Sequence, residues 1–133
     1  MTHAMRRPLL HAAASVAMLL AGTAQAAGWV RYGESDTGTF YFDPASIQVQ
    51  GERKRVWRLF ELRERRADGV QSGKALVEFD CRQSTYRYVR TLYYAGPQGQ
   101  GKYLGGAQAQ PVEPIGPGSM IALLAQKVCA PGS

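Results

Sequence analysis

Apolar and polar residues alternate along most of this chain, and the period lengthens only near its C-terminal end. Trp29 to Tyr32 is a short aromatic run that suits an edge strand. Thr39-Phe40-Tyr41-Phe42 is a second β-prone run, closed by Asp43-Pro44, where proline removes a ladder donor and aspartate favours a turn. Ile47 and Val49 alternate with Gln48 and Gln50, which predicts a third strand ending at the Gly51-Glu52 turn.

Arg55 to Arg63 is the most informative stretch. Val56, Arg58, Phe60 and Leu62 share one face, and Trp57, Leu59, Glu61 and Arg63 share the other. Large apolar groups on both faces predict a central strand covered on both sides for part of its length. After the Ala67-Asp68-Gly69 turn, Ala75 to Cys81 sets Ala75, Val77, Phe79 and Cys81 against Leu76, Glu78 and Asp80. Tyr86 to Tyr94 is a long aromatic strand. Short polar links between these last three strands favour an antiparallel meander. Gly96 to Gly106 reads as a glycine-rich loop.

Beyond Gly116-Pro117-Gly118 the period becomes helical. Ser119 is a good N-cap, and Ile121, Leu124, Ala125 and Val128 form one apolar stripe. Lys127 suits the C-terminal dipole, and Pro131 forbids continuation. A helix of about ten residues needs packing to persist, so its stripe should lie on the sheet. The expected class is α+β: an antiparallel sheet of about five to six strands with a C-terminal helix packed on it.

The start of the chain is different in kind. Arg6 and Arg7 precede a mostly apolar run from Leu9 to Ala21, and Ala24-Gln25-Ala26 has the form of a cleavage site. This is the pattern of a Sec-type signal peptide over residues 1–26, with the domain in 27–133. The run of about 13 residues is too short for a span, which needs about 20. The residue directly after the cleavage point is Ala27 and not a cysteine that could carry a lipid, so the expected product is periplasmic or released.

Processing would change the chemistry on offer. The formal charge of +6 would fall to +4, and both histidines, His3 and His11, would leave with the leader. A chain without histidine lacks the usual general base near neutral pH and the commonest metal ligand. No other group of residues has metal-ligand spacing, and the glycine-rich loop lacks the ending of a phosphate loop, so no cofactor is expected. Cys81 and Cys129, the only cysteines, remain. Export and an even count favour a disulfide between them over a free nucleophile. It would pin the last helical turn to the end of the Ala75–Cys81 strand.

In this order, several segments give the chain a resemblance to the surface-adhesin protein E-like family of exported bacterial domains. They are Trp29, Tyr41-Phe42-Asp43-Pro44-Ala45-Ser46-Ile47, Arg55-Val56-Trp57-Arg58-Leu59, Glu78-Phe79-Asp80-Cys81, Tyr93-Tyr94, Ile115-Gly116-Pro117-Gly118-Ser119 and Val128-Cys129. The resemblance covers nearly all of residues 28–129. It implies an antiparallel sheet, a packed C-terminal helix and a Cys81–Cys129 bridge. The chain departs from the family where a tryptophan often precedes the Pro-Gly-Ser element; here the region reads Gln110-Pro111-Val112-Glu113-Pro114. The family takes its name from an adhesin that binds host proteins, and no catalytic residues come with it.

Three groups of residues are candidates for function. Arg53, Lys54 and Arg55 lie at one end of the Arg55–Arg63 strand, and Arg63, Arg65 and Arg66 at the other. They could contact a polyanion (lipopolysaccharide or a glycosaminoglycan) or a host or envelope protein, or simply discourage edge aggregation. No nucleic-acid-binding motif accompanies them. Arg58, on an apolar face, needs a partner, and Glu78 and Asp80 are the candidates for a structural ion pair. Glu78 and Asp80 also sit about 7 Å apart along a strand, a separation compatible with inverting glycoside hydrolysis. Tyr86, Tyr88, Tyr93 and Tyr94 with Trp57 could form an aromatic recognition surface or serve only packing. The leading expectation is a non-enzymatic exported binding domain, adhesin-like in character. An inhibitor of a secreted or periplasmic enzyme is the alternative.

Overall fold

A computed structural model describes residues 28–130. The predicted leader lies outside the described residues. Among the described residues, eight strands and one α-helix follow in order: β1 Val30–Ser35, β2 Gly38–Phe42, β3 Gln48–Gln50, β4 Arg53–Leu62, β5 Ser72–Asp80, β6 Thr85–Tyr94, β7 Tyr103–Ala107, β8 Glu113–Pro114 and α1 Met120–Val128. Every pairing is antiparallel, in the order β1-β2-β4-β5-β6-β7, with β3 also on β4 and β8 also on β6. The α+β class and the β4-β5-β6 meander are as the alternation predicts.

The glycine-rich segment is not wholly loop. Its last part is β7, which pairs with β6 through Thr91, Leu92 and Tyr94. Gly106 permits this pairing, because a Cβ there would strike the Thr91 carbonyl. Glycines depress strand propensity but allow a close backbone approach, and here the second effect prevails.

β4 changes partner halfway along. Its first residues pair with β3 and its last with β2. Between them, the 3-10 turn Pro44–Ser46 holds the strand. The Asp43 N–H donates to the Trp57 carbonyl at 3.0 Å, and the Trp57 N–H donates to Ser46 Oγ at 2.9 Å. Ser46 Oγ in turn donates to the Asp43 carbonyl at 2.7 Å, and Asp43 Oδ1 accepts the Ala45 N–H at 3.0 Å. Proline at the start of the turn gives up a donor that has no partner there.

The core lies between α1 and one sheet face. Val56, Val77, Phe79, Leu124 and Val128 have no exposed surface, and Phe42, Ala75 and Ile121 complete the centre. Tyr32 joins them through a bulge between Arg31 and Gly33. The helix begins as predicted, with Ser119 Oγ accepting the Ala122 N–H at 3.2 Å. Met120 fits over Gly33, where a Cβ would collide with its sulfur. At the other end the Val128 carbonyl accepts Lys54 Nζ at 3.1 Å, and Cys129 is bonded to Cys81.

Nine helical residues extend about 13 Å, whereas the ten-residue β4 extends about 33 Å. The helix therefore covers part of one face. Among the described residues the other face carries no α-helix, and it holds most of the charged side chains of the central strands.

Candidate functional site

Register decides which side chains meet on the helix-free face. Arg53, Arg55, Trp57, Leu59 and Glu61 of β4 point there, opposite the buried Val56. Cross-strand partners then form rows over β4, β5 and β6: Arg55–Glu78–Arg87, Trp57–Leu76–Arg90, and Leu59–Lys74–Leu92. Asp80 stands opposite Arg53. One end of the face is thus charged and the middle is apolar.

A bulge in β6 shapes this pattern. Leu76 pairs with Arg90 and Val77 with Tyr88, so Val89 is the extra residue. On a regular strand Arg87 and Arg90, three apart, would point to opposite faces. The bulge brings both to the helix-free face. It also separates the tyrosines: Tyr86, Tyr88 and Tyr93 lie on the helix side, and Tyr94 lies with Trp57. The five aromatic candidates therefore do not form one surface.

Glu78 is the centre of the charged rows. Its side chain is only 8% exposed. Arg55 Nε donates to Oε2 at 2.7 Å and Arg87 Nε to Oε1 at 3.0 Å, while Arg53 lies 3.8 Å from Oε1. Burial alone would raise the pKa of this carboxyl, but the hydrogen bonds and charges of Arg55 and Arg87 prevail and hold it below the ordinary value. Glu78 therefore stays ionised. A glycosidase acid needs the opposite, a pKa raised to keep its proton. Asp80 Oδ1 accepts the Gln83 N–H at 3.0 Å and closes the turn after β5.

The structure corrects the pairing expected for Arg58. Its register partner is Ala75, and Glu78 and Asp80 point to the opposite face. The guanidinium instead lies between two rings, 4.8 Å from the centroid of Tyr88 and 5.7 Å from that of Phe40. Small Ala75 leaves the space for it. Arg58 Nε is buried and makes no hydrogen bond, as is the neighbouring Tyr32 hydroxyl. Burial raises the Tyr32 pKa, and the Arg58 charge opposes this.

The two basic groups of β4 are separate sites. Their ends are about 33 Å apart. Arg53 and Arg55 join the Glu78 cluster, whereas Lys54 turns to the helix side. At the far end Arg63 pairs with Glu34 at 2.9 Å. Arg66 pairs with Asp68 at 2.7 Å and lies over Tyr93, and Arg65 is exposed. Arg87 and Arg90, which belong with Arg53 and Arg55, are invisible to a sequence search for charge runs because they come from another strand.

The turn Pro97–Gly99 covers the apolar end of the face. Ser72 Oγ donates to the Gly96 carbonyl at 2.7 Å and accepts the Gly99 N–H at 2.8 Å. Gly99 adopts a positive φ and rests on the Lys74 stem, where a Cβ would collide with Cε. Leu59 and Ser72 are buried beneath. Trp57 stays half-exposed between this cover and the arginine rows, beside a shallow depression of about 360 Å³ that reaches Arg90 and Tyr103. Among the described residues, no group of three or more acidic, cysteine or histidine side chains could hold a metal ion. No helix among them is long and apolar enough to cross a membrane.

The family model described as surface-adhesin protein E matches residues 29–130. The fold is similar to solved structures of Haemophilus influenzae protein E. The selenomethionine form aligns with a TM-score of 0.65 at 18% identity, over 80% of this chain and 88% of that one. Crystal form II gives 0.64 at 18%, over 78% and 88%. The protein from non-typeable Haemophilus influenzae gives 0.61 at 19%, over 80% and 78%. At these identities the likeness is one of fold. No curated protein matches the chain.

Proposed function

The chain belongs to the surface-adhesin protein E family, and on that premise we propose that it is an exported, non-catalytic binding domain that engages an acidic partner through its helix-free sheet face. The observation that carries this reading is the arrangement around Glu78. One buried carboxylate is surrounded by Arg53, Arg55 and Arg87, with Arg90 in the next row. Glu78 neutralises one of these four cations and Asp80, opposite Arg53, a second, which leaves the cluster net positive. The remainder border half-exposed Trp57, and arginine and tryptophan are the residues most enriched where binding energy concentrates. Positive charge of this kind steers an acidic partner and fixes its register.

Export is supported by the leader pattern of residues 1–26 and by the Cys81–Cys129 bridge, which suits an oxidising compartment. An ionised, hydrogen-bonded Glu78 argues against acid catalysis at the one pair of carboxylates with a suggestive spacing.

The experiment is retention of host matrix and envelope proteins on the immobilised exported domain at low and moderate salt. The expected result is retention of acidic proteins that weakens as salt screens the arginines. Retention of none, or retention indifferent to salt, would overturn the proposal.

A further inference from the structure

The apolar end of the same face contains a pocket of about 300 Å³ lined by Trp29, Asp43, Trp57, Lys74, Leu92 and Tyr94. Trp29 and Trp57 are the only tryptophans in the chain. They come together for a local reason. Val30 pairs with Phe42, so Trp29 stands beside Asp43, and Asp43 is bonded through its N–H to the Trp57 carbonyl. Lys74 and Leu92 are cross-strand partners, and Lys74 Nζ lies 5.4 Å from the Tyr94 ring centroid.

We propose that this pocket is a saccharide site that takes one pyranose ring bearing a carboxylate or sulfate. It deepens the binding reading above by naming a ligand class for the same face. Two indoles and a phenol offer flat apolar surfaces to the C–H face of a sugar ring. Lys74 supplies a cation to the acidic substituent: its Nζ lies 5.4 Å from the Tyr94 ring centroid, at the pocket, while its stem runs where only a glycine at position 99 leaves room. Asp43 commits Oδ1 to the Ala45 N–H, leaving Oδ2 to accept a sugar hydroxyl. The volume is at the lower limit of small-molecule sites, about 300–1,000 Å³, which suits one ring.

The test is a titration of the exported domain, followed by tryptophan fluorescence and by saturation-transfer NMR. The probes are methyl glucoside, its glucuronate counterpart, glucose 6-sulfate and N-acetyltyrosine amide. The two acidic sugars should bind, about fivefold or more tighter than the neutral one, the scale of one exposed charge pair. Trp29→Ala should weaken binding by about tenfold through loss of one aromatic wall. Lys74→Met, which keeps the stem against Gly99, should erase the preference for acidic sugars. Trp29→Ala alone decides if that second variant fails to fold. No response to any sugar at millimolar concentration, tighter binding of the tyrosine amide, equal affinity for neutral and acidic sugars, or indifference to Trp29→Ala would each overturn the proposal. Salt-sensitive protein retention surviving any of these results would show that the saccharide site fails while the broader reading stands.

Discussion

Ser46 holds Trp57 by its backbone: the serine hydroxyl accepts the Trp57 N–H at 2.9 Å while donating to the Asp43 carbonyl at 2.7 Å. The turn that ends β2 thereby supplies the partner that β4 lacks where it passes from β3 to β2. It also fixes the height of the Trp57 ring on the helix-free face.

Ser46→Ala should cost about 1–2 kcal/mol, because a part-buried N–H loses its acceptor. Urea denaturation would read this as a lower midpoint at unchanged slope, and Ser46→Thr should recover most of it. An unaltered midpoint in the alanine variant would mean that the hydroxyl does not hold the strand.

Glu78→Gln should destabilise the domain at neutral pH by about 2 kcal/mol, since two charge-assisted hydrogen bonds weaken and three guanidiniums lose their shared anion. The pH dependence follows from the lowered pKa. The stabilisation from Glu78 is fully present above its ordinary value of 4.5 and drains as pH falls through the lower folded value. The gap between wild type and Glu78→Gln should therefore close in acid. A gap that persists or widens below that range would contradict the assignment.

Arg58→Met should change stability by less than about 1 kcal/mol. The substitution loses stacking on Tyr88 and Phe40 but also removes a charge from an apolar setting. Thermal unfolding would check it. A loss of about 3 kcal/mol or more would indicate a broken buried ion pair.

Removing the bridge by Cys81→Ser with Cys129→Ser should cost about 4 kcal/mol, given the 48-residue separation of the two cysteines. The nine-residue helix is too short to persist without its anchors, so the helical signal in circular dichroism should fall as well. Guanidinium denaturation of the oxidised wild type and the variant gives the comparison. Equal midpoints would contradict it.

The alternation of Arg55–Arg63 made the central strand legible, and Val56 and Leu59 are indeed buried on opposite faces. The Ser119 cap and the Ile121–Leu124–Val128 stripe did the same for the helix. Register was not legible. Alternation separates the faces of one strand but does not say which residue stands across from it, so it offers Arg58 carboxylates that in the fold point the other way. The Val89 bulge was equally hidden, and with it the meeting of Arg87 and Arg90 beside Arg55. The pocket joins Trp29 to Tyr94 from distant parts of the chain, and only the sheet order brings them together.

The central claim is that the helix-free face does the binding. The most direct measurement compares salt-dependent partner retention by two double variants, Arg53→Gln/Arg90→Gln on that face and Arg65→Gln/Lys127→Gln away from it. Each removes two exposed positive charges, and circular dichroism would confirm the fold of both. Loss of retention in the first variant alone is the predicted result. Equal loss in both, or no loss in the first, would contradict the account.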